Sequence, residues 1–227
     1  MTRLYVLVEG PTEEAFVKSV LAPHLLGRGV WVYTIIVETS REDFGRKRRG
    51  GGRWKHWLSD LKRLTGEQSG ANARFTTMFD LYGLPEDFPG LEQHGSDKDT
   101  KRRADNLCSS MAQVVNDHRL IPHLQRHEFE ALVLAGLEVL ATLLEDETDL
   151  AGIRSLRTVL QHSAPEDIND GATTAPSKRL ESQIPSYRKT VHGPLAVEGT
   201  GLLALRKACP RFCAWVAKLE SLGETRP

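Results

Sequence analysis

Several things are scarce in this sequence, and each scarcity narrows what it can be. Three cysteines occur in 227 residues, Cys108, Cys209 and Cys213. Three unevenly spaced thiols make no disulfide framework. Cys209 and Cys213 could share a helix face, but no second Cys or His pair completes a zinc spacing, so they read as small buried thiols. Neither sign of charge dominates, since 30 Lys and Arg balance 30 Asp and Glu. Bulk charge therefore exerts no pull toward nucleic acid or membrane, and a polyanionic partner would have to meet a local patch. No apolar run approaches the roughly 20 residues of a membrane-spanning helix. The chain enters a strand at once and shows no signal peptide, so no membrane role and a reducing cytoplasm are expected. Internal repeats and low-complexity tracts are missing too. With 40% hydrophobic and 26% charged residues, the composition is that of an ordinary globular protein with ample length for a core.

Familiar catalytic signatures are also missing. Neither GxGxxG nor the Walker pattern follows the first strand, which argues against a nucleotide fold. No serine sits in a GxSxG elbow, which argues against an α/β-hydrolase. His127-Glu128 resembles the start of a zinc-protease HExxH, but Ala131 stands where the second histidine is required.

What is present begins at Leu4. Leu4 to Val8 is an unbroken apolar run bounded by Gly10 and Pro11, the pattern of a strand buried on both faces. Phe16, Val17, Val20, Leu21 and Leu25 recur at helical spacing, with Pro23 as a kink or stop, and Val30 to Val37 is a second strand. This is a βαβ unit. Trp54, Trp57, Leu58, Leu61 and Leu64 form the stripe of a second helix, and Arg74 to Phe79 a third strand. Leu81 to Gly95 reads as loop. Asp97 and Asp99 lead a helix through Ala104, Leu107, Met111 and Val115. Leu120 to Gln125 is a short fourth strand whose Pro122 places it at an edge. Beyond residue 145 the pattern is helical and less regular, with Tyr187 to His192 a basic, loop-like piece. The expectation is an α/β core over 1–145, a mainly parallel sheet of four strands with helices on both faces, and a helical extension over 146–227 packed on it.

Three strands end in acids: Glu9, Asp80 and the His127-Glu128-Phe129-Glu130 group. In a parallel sheet those ends share one rim, where ligands of open α/β sheets bind. Carboxylates gathered there repel one another unless a cation sits among them. Hard oxygen donors that leave room for water suit Mg2+ or Mn2+. Glu13 also favours a helix N-terminus through the macrodipole alone, and His127 taken singly reads as structural. His24, His56, His94, His118 and His162 are read as structural or exposed. Arg41 to Arg53 supplies the opposite charge, with Arg46, Lys47, Arg48, Arg49 and Arg53 around three glycines. It reads as a phosphate clamp or as a solvated connector. Acids with a cation, beside a basic stretch, point to metal-assisted phosphoryl chemistry on a polyanion.

The stretches Val8-Glu-Gly-Pro-Thr-Glu13, Met78-Phe-Asp-Leu-Tyr-Gly-Leu-Pro85 and His127-Glu-Phe-Glu-Ala-Leu132, with Ala175-Pro-Ser-Lys-Arg179, Tyr187, His192-Gly-Pro194 and Cys209-Pro-Arg-Phe-Cys-Ala-Trp215, together resemble a bacterial Toprim-like family of unknown function. Its members often resemble the nuclease half of the OLD (overcoming lysogenisation defect) nucleases. The resemblance covers nearly the whole chain. It implies a Toprim fold, divalent-metal-dependent cleavage or transfer at DNA phosphodiesters, a setting in phage defence and an AAA-type ATPase as partner. Glu9 matches the Toprim glutamate, Glu13 the second acid of the OLD-type first motif, and Asp80 the first aspartate of DxD. The chain departs from the family at Tyr82, which occupies the second aspartate's place.

The expected reading is an Mg2+- or Mn2+-dependent nuclease. Glu9 and Asp80, with Glu128 or Glu130, hold metal, Glu13 binds metal or orders water, and His127 assists proton transfer. Arg46, Lys47, Arg48, Arg49, Arg53, Lys178 and Arg179 contact phosphates. The alternatives are a binding or regulatory subunit of an ATPase complex, its site degraded at Tyr82, and a nucleotide- or RNA-processing phosphotransferase. The oligomeric state is left open.

Overall fold

A computed structural model describes residues 1–37, 52–168, 171 and 173–223. The opening apolar run forms β1 (Thr2–Val8), and alternation along it divides the molecule. Leu4, Val6 and Val8 point into one buried cluster, Tyr5 and Leu7 into a second on the other face of the sheet. Both faces are covered, which is why the run carries no polar residue.

α1 (Pro11–Phe16) starts with Pro11 at its first position and continues through a π turn, Val17–Leu21, into α2 (Ala22–Leu26). The Ala22 N–H reaches back to the Val17 carbonyl, and Pro23, which lacks an N–H, follows at once. The predicted stop at Pro23 is thus a bulge that carries the helix past it. β2 (Val30–Ile36) follows, then α3 (Trp54–Glu67), β3 (Ala73–Asp80), a single-turn α4 (Leu91–His94) within the predicted loop, and α5 (Thr100–Val115). Asp99 caps α5, accepting from the Lys101 and Arg102 N–H groups at 3.0 and 3.1 Å. The fourth strand is split at Pro122-His123 into β4 (Leu120–Ile121) and β5 (Leu124–Gln125). Among the described residues the sheet therefore has five strands, in the order β2-β1-β3-β4, with β5 pairing β3 beyond β4. Every pairing is parallel.

Short helices α6 (Glu130–Ala135) and α7 (Leu137–Thr142) lead to α8 (Glu147–Leu160), α9 (Pro176–Gln183), α10 (Lys189–Ala208) and α11 (Pro210–Glu220). α3 and α5 cover one face, through Trp57, Leu61, Leu107 and Met111. The other face is covered by α1 and α2 together with α6 to α11, through Phe16, Phe129, Val197, Phe212 and Trp215.

α10 replaces the loop-like piece expected around Lys189, and it breaks at Gly201, where φ is 76°. Gly199 serves close approach, since a Cβ there would stand 2.7 Å from Val139 Cγ1 of α7, and one on Gly193 would stand 3.2 Å from the Tyr187 hydroxyl.

Candidate active site

The carboxyl ends of β1 and β3 are neighbours in register, with Val8 opposite Met78. Glu9 leaves β1 and turns one oxygen, Oε1, onto the Asp80 N–H at 2.6 Å. Its Oε2 lies against Gly83, where a Cβ would come to 3.3 Å. Asp80 Oδ1 accepts from the Phe129 N–H at 2.9 Å, which ties the end of β3 to the start of α6. Glu13 lies in the first turn of α1 and is buried. Glu130 opens α6 with no exposed surface.

Among the described residues, one cation stands among these acids. The Lys189 ammonium, at the first residue of α10, is 3.1 Å from Glu130 Oε1. Burial alone would push this ammonium down, but Glu130, Asp80 and Glu13 hold it above its usual value. The acids shift the other way. Desolvation pushes Glu9 up to about 8, with Glu13 adding repulsion and the Asp80 N–H and Lys189 opposing it. Asp80 is raised by burial first, then by Glu9 and Glu13. Burial raises Glu13 and Glu130 as well, with Lys189 opposing both. Four carboxylates from four elements thus share one field with one ammonium. Glu9 and Asp80 are half-buried, whereas Glu13 and Glu130 are closed off, so solvent reaches the first pair.

The remaining expected residues are placed less centrally. Glu128 is buried, and its Oε2 accepts from the Ser177 N–H at 2.9 Å, capping the start of α9. His127 adopts a left-handed backbone (φ 64°) at the corner after β5, and its carbonyl accepts from Tyr82 N–H at 2.9 Å. Its Nε2 stands 3.1 Å from the Glu166 carbonyl oxygen, which only accepts, so Nε2 carries the proton. Lys178 pairs with Glu181 at 2.8 Å, and Arg179 Nε donates to the Thr174 carbonyl at 2.8 Å. Arg53 is exposed ahead of α3. Arg46, Lys47, Arg48 and Arg49 lie outside the described residues. Tyr82, in the place of the expected second aspartate, is exposed.

Two groups escaped sequence reasoning, Lys189 and Tyr187. The Tyr187 hydroxyl is buried and hydrogen-bonds no described group. Burial first, then Glu130, Glu181 and Glu128, holds its proton on. The signal for both was the spacing of Gly193, Ala196 and Val197, which are buried at helical intervals but are small enough to be passed over as non-core.

The donor set suits a hard divalent cation by chemistry: clustered carboxyl oxygens whose protons a cation would displace, and the buried Tyr187 hydroxyl. Among the described residues, no three ligating side chains already stand as a group that could hold a metal ion. An ion at Glu9 and Asp80 would complete its shell with water or substrate oxygens, as Mg2+ commonly does.

No curated protein matches the chain. Among solved structures, the C-terminal region of the OLD protein of Xanthomonas campestris pv. campestris is similar at 16% identity and a TM-score of 0.44, covering 99% of this chain and 95% of that one. A family model matches residues 8–220, from the last residue of β1 to the end of α11, and the chain belongs to that family, described as a domain of unknown function (DUF4276).

Proposed function

We propose that the strand-end acids form a divalent-cation-dependent site for phosphodiester chemistry on nucleic acid, with DNA as the first substrate to try. One observation carries this reading: Glu9, Glu13, Asp80 and Glu130 converge with raised proton affinities on a single ammonium. With Lys189 as their only cation among the described residues, these carboxyls hold protons, and a bound cation would displace those protons and take their place. Glu9 Oε2 and Asp80 are the reachable ligands, and Glu13 and Glu130 set the field behind them. Mg2+ or Mn2+ bound there would polarise a phosphate oxygen and lower the pKa of a coordinated water. Glu13 would order that water. Glu128 fixes α9, and with it Lys178 and Arg179, beside the rim. His127, its Nε2 committed to Glu166, holds the corner that aims the Asp80 partner Phe129. An AAA-type ATPase partner and a phage-defence setting belong to this proposal through the family resemblance.

A second reading has its own support. The Lys189–Glu130 pair already neutralises part of the charge, and Tyr82 stands in place of an acid. On that reading the chain is a binding or regulatory subunit of an ATPase complex.

Incubation of purified protein with plasmid and Mg2+ or Mn2+, alongside Glu9→Ala, tests the first reading. The expected outcome is cutting by the wild type that the variant loses by at least about a hundredfold, the scale of removing a group that stabilises developing charge. Cutting no faster than Glu9→Ala ends the nuclease reading. Calorimetry with Mn2+ separates the second: the site reading expects binding that Asp80→Ala abolishes and that Lys189→Met tightens by about tenfold, or 1.4 kcal/mol.

A further inference from the structure

A concavity, about 710 Å3 in volume, lies between α5 and α11 where the sheet edge is broken at Pro122-His123. That volume is in the range of small-ligand sites. Its lining is cationic in a particular way. Lys101 and Lys218 are exposed and, among the described residues, meet no acid. Arg126 and Arg211 are mostly buried, and their partners Asp167 and Asp105 are both 57% exposed on the rim.

Inside stands His123, 2% exposed, its ring stacked on Trp215 at 4.4 Å and 11°. Its backbone is pinned, since Thr77 Oγ1 accepts from His123 N–H at 3.0 Å and donates to His123 carbonyl oxygen at 2.7 Å. The ring's polar neighbour is the buried side chain of Gln125. Burial first, then Arg211, holds this ring neutral against that contact.

The lining also excludes other occupants. Arg211 Nε already donates to the Leu124 carbonyl at 3.1 Å, so an added β-strand finds that edge group taken. Glu166 accepts from the Arg211 and Phe212 N–H groups at 2.8 and 3.0 Å, so the start of α11 is already capped and an anion would be held by side chains.

We propose that this cavity binds a phosphate-bearing nucleotide unit, its phosphate held by Lys101 and Lys218 above the stacked rings of His123 and Trp215. Its position deepens the nucleic-acid reading above and rests on it. β5 pairs β3 with Gln125 opposite Asp80, and the next residue, Arg126, lines the cavity, so the cavity borders the strand that neighbours the acids. A strand crossing Asp80 would place its flanking nucleotide there.

The test is binding in EDTA, where metal-dependent cutting is silent. Fluorescein-labelled hexanucleotide and deoxyadenosine monophosphate are titrated into the full chain, a Lys101→Glu/Lys218→Glu variant and a charge-matched Lys62→Glu/Lys207→Glu control, whose exposed lysines lie outside the cavity. The expected result is that the double variant loses at least about tenfold in hexanucleotide affinity. The slope of its log affinity against log salt should also fall by about 1.4, two single-strand phosphate contacts at about 0.7 each. The control should bind as the wild type does. Mononucleotide binding that the double variant loses would identify a free nucleotide as the ligand, and hexanucleotide binding alone would identify a strand. Unchanged affinity and slope in the double variant, or loss in the control as complete as in the double variant, overturns the proposal. Because no step needs metal, failure of plasmid cleavage leaves this result readable by itself.

Discussion

Glu9 concentrates the physical tension of the molecule in one side chain. Its carboxyl stands at the end of a strand buried on both faces, where the charged form has lost much of its water. In the folded state it holds its proton up to about 8, whereas an unfolded glutamate releases it near 4.5. Between those two values the folded state binds more protons than the unfolded one, so stability falls as pH rises. Below about 4.5 both states are protonated, and the contribution of Glu9 is then fully present. Without divalent cations, urea denaturation should therefore show a midpoint that declines from pH 5 toward pH 8, and Glu9→Gln should flatten that decline. An equally steep decline in Glu9→Gln would place the cause in another group. Lys189 works against the same tension from α10, and it lies 59 residues from its Glu130 partner along the chain. No local pattern announces such a pair.

At the scale of elements, readability followed the size of the side chains that pack. β1, β3, α3 and α5 bury Leu, Val, Phe, Trp and Met at clean spacings, and Asp99 marks the start of α5, so sequence periodicity located them. The strand-end acids were legible for the same reason, since they terminate those runs. The first half of α10 was not, because it buries Gly193, Ala196 and Val197 and carries Pro194, a composition that reads as a break. Its first residue is Lys189, so overlooking the helix concealed the cation. The contact between α10 and Gly136, which joins α6 to α7, is correspondingly unforgiving. A Cβ at Gly136 would approach Thr200 Oγ1 to 2.5 Å and the Ala196 carbonyl oxygen to 3.0 Å. Gly136→Ala should cost roughly 1–3 kcal/mol of stability by overpacking. Chemical denaturation measures it, and a variant as stable as wild type would show that α10 shifts without strain.

Across the whole molecule, one buried cluster runs through both sides of residue 145. The cluster fed by Leu4, Val6 and Val8 also contains Leu180, Val197, Phe212 and Trp215. Trp215 Nε1 donates to Thr76 Oγ1 of β3 at 2.9 Å, so α11 is bonded into the sheet itself. A fragment of residues 1–145 should therefore expose the face that holds Phe16 and Phe129, and aggregate or lack a cooperative thermal transition. A soluble fragment melting cooperatively would show that the sheet and its first helices suffice. The same edge geometry, with β4 and β5 separated at Pro122, opens the concavity beside the rim, so a backbone interruption shapes the surface a long substrate would cross.

The two oxygens of Glu9 have separate duties. Oε1 rivets β1 to the Asp80 amide of the adjoining strand, and Oε2 is left for whatever arrives from solvent. Architecture and chemistry are therefore joined through a single carbon atom. Truncation at this position will always report both losses together, whereas glutamine, keeping an acceptor for the amide while discarding the charge, lets each be measured alone.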